Sequence, residues 1–301
     1  MEKQSFTEFR EMVHKQILTV LPEYENARIY VHEVTKNNGI RLWALQILPE
    51  GKNCSPSIYL DHYYQRYKEG EAFSDLLSDM ARFYRMHCGS MMVNVEQISD
   101  YSQMKEHIVL RLLNYEKNKE LLTDAPYIMW HDLAITFRWL AHQDEVGIAS
   151  ALITHRECHL WNITVPELYE VALNNTERLF PWECHDMIEL LKKMDGAPLA
   201  EELCELSCKM YVLTNEQRVN GAGVVLYQGV LSQVAKRLHG SFYLFPSSIH
   251  EMLLVPEQEG QSVSYFKSMV KEANETTVSQ GEVLSENIYY YDVEKERVLM
   301  L

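Results

Sequence analysis

Residues 210–256 read MYVLTNEQRVNGAGVVLYQGVLSQVAKRLHGSFYLFPSSIHEMLLVP, and this stretch constrains the chain more than any other. Short apolar runs rich in β-branched and aromatic residues alternate with turn signals and one amphipathic segment. The order is strand, turn, strand, helix, strand, turn, strand. Residues 210–215 and Val224-Val225-Leu226-Tyr227 make the first two runs. Val230, Leu231, Val234 and Leu238 mark the helix, and Gly240 suits its C′ position. Residues 242–245 and 250–255 flank the turn Pro246-Ser247-Ser248. The fold class this implies is α+β, with antiparallel β-hairpins alternating with amphipathic helices that pack on the sheet faces.

The remainder of the chain repeats these signals. Ser5-Phe6-Thr7-Glu8 fits a capping box, and Phe6, Phe9, Val13, Ile17 and Val20 follow as one apolar stripe that Pro22 stops. Residues 29–34 and 40–48 flank Asn37-Asn38-Gly39, a hairpin signal. A short strand is expected over 57–60, a helix over 71–86 and a linker over 89–105. Beyond it, 107–113 reads as a strand and 116–122 as a short helix. Leu133, Ile135, Phe137 and Trp139 alternate, so 132–140 reads as a strand hairpinned to 148–154. Thr164-Val165-Pro166-Glu167 is a second capping box for a helix to about residue 174. Further helices are expected over 181–194, 200–208 and 263–273, and a hairpin over 288–301. Two domains follow from this division, an N-terminal helix–hairpin–helix module over 1–100 and a larger α+β domain over 105–301.

The formal net charge is −15, and 22 acidic against 12 basic residues in 151–301 supply −10 of it. That balance argues against wrapping a nucleic-acid backbone, which needs clustered Lys and Arg. An acidic surface suits a protein partner of opposite charge, or solubility alone. The N-terminus lacks an apolar core for a signal peptide, and no run approaches the ~18 apolar residues of a membrane span. The expected location is cytoplasmic, with the six cysteines reduced.

Several motifs recur in a familiar order. LLNYEKNKELLTDAPY at 112–127, ITVPELYEVALNNTERLFP at 163–181, MYVLTN at 210–215, LYQGVL at 226–231, YLFPSSIHE at 243–251 and NIYYYD at 287–292 resemble a bacterial domain-of-unknown-function family, the one numbered 5688. The order of elements is also similar to a second uncharacterised bacterial family. The resemblance implies a bacterial, cytoplasmic protein in which the whole chain is one recurring unit. It implies no activity and no catalytic residues.

The best catalytic candidates are Ser247, Ser248, His250 and Glu251. With His250 beginning a strand, Ser248 and His250 project to one face, where a serine beside a histidine is an activated nucleophile. Glu251 then points away, no glycine elbow exposes the serine, and Pro-Ser-Ser is an ordinary turn sequence. Metal-ligating candidates are His155, Cys158 and His159 at helical spacing, Cys184 with His185, and Cys204 with Cys208. No Cys-x-x-Cys or His-Glu-x-x-His accompanies them, and buried reduced cysteines account for the set. Asn220-Gly221-Ala222-Gly223 precedes a strand-like run and reads as a turn or bulge, not a phosphate cradle. Asp61 and His62, like His131 and Asp132, would face apart on a strand, and Tyr289-Tyr290-Tyr291 reads as a half-buried edge strand.

No cofactor is implied. The reading favoured by these residues is a non-catalytic binding or regulatory protein, with another protein met through the acidic surface. A hydrolase using His250 with Ser247 or Ser248, and an acidic decoy of a nucleic-acid-binding protein, are the rivals.

Overall fold

A computed structural model describes residues 4–88, 98–144, 147–193, 209–246 and 248–301. The fold is α+β, with three antiparallel sheets among the described residues. The chain divides into two compact units, one of residues 1–36 and 40–98, the other of 37–39 and 99–301.

In the first unit, helix α1 (Phe6–Gln16) opens with the expected capping box, Ser5 and Glu8 satisfying each other's backbone N–H groups. Strands β1 (Arg28–Thr35) and β2 (Arg41–Leu48) pair from Arg28↔Leu48 to Thr35↔Arg41. Asn38 and Gly39 close the turn at φ of 60° and 69°, the left-handed conformation that the Asn-Gly pair tolerates. Strand β3 (Ser57–Tyr59) completes the order β1-β2-β3. Helices α2 (Leu60–Glu69) and α3 (Phe73–His87) follow. Phe9, Val13, Leu60, Leu76 and Met80 bury against Leu45 and Ile47 of β2, each worth about 1.5–3 kcal/mol of burial.

Helix α2 was not expected, and it corrects the reading of Asp61 and His62 as strand residues. Tyr63, Tyr64 and Tyr67 supply its packing face, so its core contact comes from aromatics with polar tips that blur the apolar stripe. Asp61 Oδ2 accepts the Trp43 backbone N–H at 2.8 Å, a structural role.

Arg66 on α2 reaches Glu71 and Asp79 at 2.5 and 2.6 Å. Its guanidinium holds both carboxyls below their usual values of 4.5 and 3.8. Because these native pKa values are depressed, the stabilisation is complete above the unfolded values and lost as pH falls through the native ones. Acid titration of the urea midpoint should therefore steepen below about pH 4.5. Arg66→Met should flatten that limb; an unchanged slope would refute the assignment.

The second unit contains two sheets. In the smaller, β6 (Leu133–Asp144) pairs with β4 (Ile108–Asn114) along one edge. β5 (Tyr127–Trp130) and β7 (Gly147–Leu152) take successive stretches of its other edge. Helix α4 (His155–Trp161) follows, then α5 (Val165–Leu179), which starts at the Thr164–Glu167 capping box and runs past the expected end at 174. Polar side chains of α5 cover the free edge of β4. Leu110 N–H donates to Thr176 Oγ1 at 2.9 Å, and Asn175 Nδ2 donates to the Ile108 carbonyl at 2.9 Å. A helix thus blocks the edge from pairing with another chain.

The larger sheet is built from β8 (Trp182–Asp186), β9 (Tyr211–Asn215), β10 (Phe242–Phe245), β11 (Met252–Pro256), β12 (Tyr289–Asp292) and β13 (Arg297–Met300). Their order across the sheet is β13-β12-β10-β11-β9-β8. Helix α6 (Met187–Lys193) follows β8, and α7 (Val230–Leu238) precedes β10. Helix α8 (Val263–Thr276) lays Phe266 and Val270 on Tyr243, Phe245 and Val255.

Four expectations are corrected here. The helix expected over 181–194 begins as strand β8, because five successive residues find antiparallel partners in β9. Val224 to Tyr227 is no strand; residues Gly221–Leu226 form a buried 3₁₀ turn. His239, not Gly240, takes the left-handed position after α7, at φ 63°. Strand β12 is not an edge, since β10 and β13 flank it, and Tyr289 and Tyr291 are buried. The expected helix over 200–208 lies outside the described residues, as does most of the expected linker. Among the described residues no helix is long and apolar enough to cross a membrane.

Candidate functional site

The serine–histidine stretch resolves into a loop between β10 and β11, with His250 outside both strands. Ser247 lies outside the described residues. Ser248 is buried, donates its hydroxyl proton to Glu251 Oε1 at 2.7 Å and accepts the His250 backbone N–H at 3.0 Å. Its oxygen therefore serves the turn. The His250 ring is engaged elsewhere. Its Nδ1 lies 3.2 Å from the Asn220 backbone nitrogen, and since an N–H only donates, Nδ1 accepts. The proton of the neutral ring then sits on Nε2, 3.5 Å from Glu282 Oε1.

The Asn220 N–H is aimed by the buried turn that follows it. Asn220 is left-handed at φ 54°, and Gly221 presses against β9 and the His250 loop. A Cβ on Gly221 would lie 2.5 Å from the His250 carbonyl and 2.8 Å from Asn215 N, and would collide with Thr214 Oγ1. Two of these are backbone atoms that have nowhere to retreat. Gly221→Ala should destabilise the protein by about 3 kcal/mol or more, measured by urea unfolding. A loss under about 1 kcal/mol would show that the turn yields.

Beside this loop lies a small cavity of about 20 Å³, room for roughly one water molecule. Its floor is the face of β4, β6 and β7 that carries Arg111, Arg138 and Ser150; α5 supplies Thr176 and Phe180, and the loop after β9 supplies Asn215, Val219 and Asn220. Register explains why the two arginines meet. Val109 opposes Arg138 and Arg111 opposes Thr136, so both guanidiniums leave the same face of neighbouring strands.

Arg138 donates from Nε to Ser150 Oγ at 2.8 Å and from Nη2 to the Ser150 carbonyl at 2.7 Å. Arg111 is half-buried as a residue, but its Nε is shut off from solvent and has no hydrogen-bond partner. Burial, with the like charge of Arg138, pulls its pKa down to about 10, and the Glu282 charge opposes that shift. Neither arginine makes a carboxylate salt bridge among the described residues. Two cations line one small cavity, and Arg138 is held there by the neutral groups of Ser150.

Among the described residues the metal-ligating candidates form no group of three able to hold a metal ion. His155, Cys158 and His159 lie on α4, where His159 Nδ1 is 2.5 Å from the His155 carbonyl and Cys158 is buried. Cys184 and His185 sit on strand β8 and point to opposite faces, correcting their placement on a helix. His185 Nε2 is 2.7 Å from Glu183 Oε2, and Cys184 is buried, which pushes its thiol pKa up. Cys204 and Cys208 lie outside the described residues.

A family model described as a family of unknown function, DUF5688, matches residues 6–293. The chain belongs to this family. The match supports the first of the two family likenesses read from the sequence and not the second. No curated protein and no solved structure matches the chain.

In this DUF5688 chain the cavity arginines escaped the sequence reading. The signal was present, because Arg111 interrupts IVLRLLN and Arg138 interrupts LAITFRWL, both strands of otherwise apolar character. A charged residue within a buried strand needs a partner, and asking for each partner would have singled them out. What was not legible was that they face one another.

Proposed function

We propose that this DUF5688 protein is a non-catalytic binding or regulatory protein, with the Arg111 and Arg138 pair of its second unit as the polar centre of the binding region. The observation carrying this reading is the buried Arg111 Nε, a strong donor without a protein acceptor. Buried polar groups are almost always satisfied, so a buried guanidinium nitrogen without a protein acceptor, on a residue that lines the cavity, marks a place where a polar partner is missing. The engagement of His250 supports the absence of catalysis. Its acceptor nitrogen is taken by a backbone N–H and its donor nitrogen faces a carboxylate, leaving no basic lone pair for a serine.

A thermal-shift screen of metabolites, run alongside ester, phosphoester and amide turnover assays, tests this. Ligands that raise the Tm and lose their effect on substitution of Arg111 agree with the proposal. Turnover that survives purification and vanishes in His250→Ala would establish the hydrolase instead.

A further inference from the structure

We infer that the free edge of β1 is a docking site for an extended acidic segment of another protein, added to the sheet as a fourth strand beside α1. This goes beyond the reading above, which concerns the second unit; the site lies wholly within the first. Strand β1 ends the order β1-β2-β3 and, at eight residues, is the longest edge strand among the described residues. The ladder fixes which of its groups are free. Lys36 N–H donates to the Ile40 carbonyl at 2.7 Å, so the even-numbered residues of β1 bond to β2. Strand β2 agrees, because Trp43 and Ile47 turn their N–H groups away from β1, to Asp61 and Ser55. The backbone groups of Ile29, Val31, Glu33 and Thr35 therefore point outward, and they have no partner among the described residues.

Proteins normally blunt such edges. Helix α5 does so for β4, whereas β1 has no proline and its pairing runs without a bulge from Arg28 to Thr35. An edge left open over this length accepts a strand.

The groove beside that edge sets the chemistry of the strand. A space of about 370 Å³ lies between α1 and Val31, lined by Thr7, Arg10, Glu11, His14 and Lys15. These five recur at i, i+3, i+4, i+7 and i+8, one face of α1. The Arg10 guanidinium sits 3.4 Å from the centre of the Trp43 ring and donates from Nη2 to Thr7 Oγ1 at 3.1 Å. Held this way, and without a carboxylate partner among the described residues, it loses little freedom on meeting an anion. Lys15 is 4.0 Å from Glu11 in an ion pair open to water, which contributes little. Two cations and one carboxylate thus face the groove, together with His14.

Residues of an added strand opposite Ile29, Val31 and Glu33 would face this wall, so carboxylates at alternate positions suit it. The intervening residues would lie beside Tyr30 and Val34 on the other face, where Tyr30 is 41% exposed, and apolar side chains suit them. The same charges disfavour a second copy. Pairing β1 with β1 across a two-fold axis would bring two sets of Arg10 and Lys15 together, in chains that each carry a net charge of −15.

Fluorescence anisotropy on the full chain tests this with three labelled, end-capped octapeptides: alternating Glu and Val, alternating Gln and Val, and alternating Lys and Val. The Glu peptide should bind at least about tenfold more tightly than the Lys peptide, with the Gln peptide between them. Glu33→Pro removes an outward N–H and leaves the bonds to β2 in place. It should weaken the Glu peptide at least about tenfold, although it takes away a negative charge. Arg10→Gln combined with Lys15→Gln should leave the Gln peptide unchanged and remove the preference for Glu. Circular dichroism checks that the variants are folded, and the charge variant carries the test if the proline is not tolerated. Equal affinity for the Glu and Lys peptides overturns the acidic assignment. Absence of Glu-peptide binding, or binding indifferent to Glu33→Pro in a folded variant, overturns the edge site. A dimer in analytical ultracentrifugation that Glu33→Pro dissociates would make the occupant a second copy and overturn the acidic partner.

Discussion

Replacing Arg111 by methionine should raise the Tm of the ligand-free protein. Most substitutions in a packed interior lower it, so the expected sign is itself diagnostic. The native side chain holds a buried, unpartnered Nε beside the like charge of Arg138. Methionine has similar length and no polar atom to desolvate. Removing an unpaired buried donor of this kind should return about 1–3 kcal/mol. In a unit of roughly 200 residues that corresponds to a rise of about 3–10 °C. Differential scanning calorimetry in a buffer free of carboxylate and phosphate is the measurement. A lowered Tm would mean that the guanidinium is already satisfied in the folded protein, and the case for a ligand site would fall with it. A raised Tm would show a residue retained at the expense of stability.

Asp132→Ala should produce the largest loss of stability outside the apolar cores. Asp132 follows His131, which is left-handed at φ 54°, in the two-residue turn joining β5 to β6. Its carboxylate gathers three donors from the segment leading into β12. Tyr289 donates to Oδ1 at 2.5 Å, while Ser285 and Asn287 donate to Oδ2 at 2.5 and 3.0 Å. Tyr289 and Ser285 are both fully buried, and burial beside the Asp132 charge pushes the Tyr289 hydroxyl pKa far up. Truncating the acceptor leaves these donors dry, at a cost of about 3–5 kcal/mol, or a Tm lower by roughly 6–20 °C. Tyr289→Phe, which removes one donor and leaves the other two bonded, should cost about 1–2 kcal/mol. Calorimetry on both variants checks the ranking; equal losses would show that the carboxylate adds nothing beyond the tyrosine contact.

This knot also shows how a conservative reading of single residues misses a constellation. By local sequence Asp132 beside His131 reads as an ordinary strand pair, and Tyr289-Tyr290-Tyr291 as an edge strand. The partners of Asp132 lie more than 150 residues away along the chain. No local periodicity encodes such a meeting. The arginine cavity is similar in kind, since Arg111 and Arg138 become neighbours only through the register of β4 with β6. The sequence places Ser248 two residues before His250, yet the His250 ring is held by Asn220 and Glu282, each about 30 residues away.

What the sequence determined by itself is the local layer of the fold. Ser5 with Glu8 and Thr164 with Glu167 begin helices, because each pair satisfies backbone N–H groups within four residues. Asn38-Gly39 makes its turn because both residues accept positive φ without a partner. The alternation of Leu133, Ile135 and Phe137 is enough to call β6. Tertiary structure decided the rest. Trp182 to Asp186 is a strand because β9 offers it hydrogen bonds, and Gly221 to Leu226 is a tight turn because β9 and the His250 loop leave no space for anything wider. It also decided the candidate site. Local structure follows from interactions a few residues long, whereas a binding cavity is made by side chains whose proximity exists only after strands have chosen partners and register.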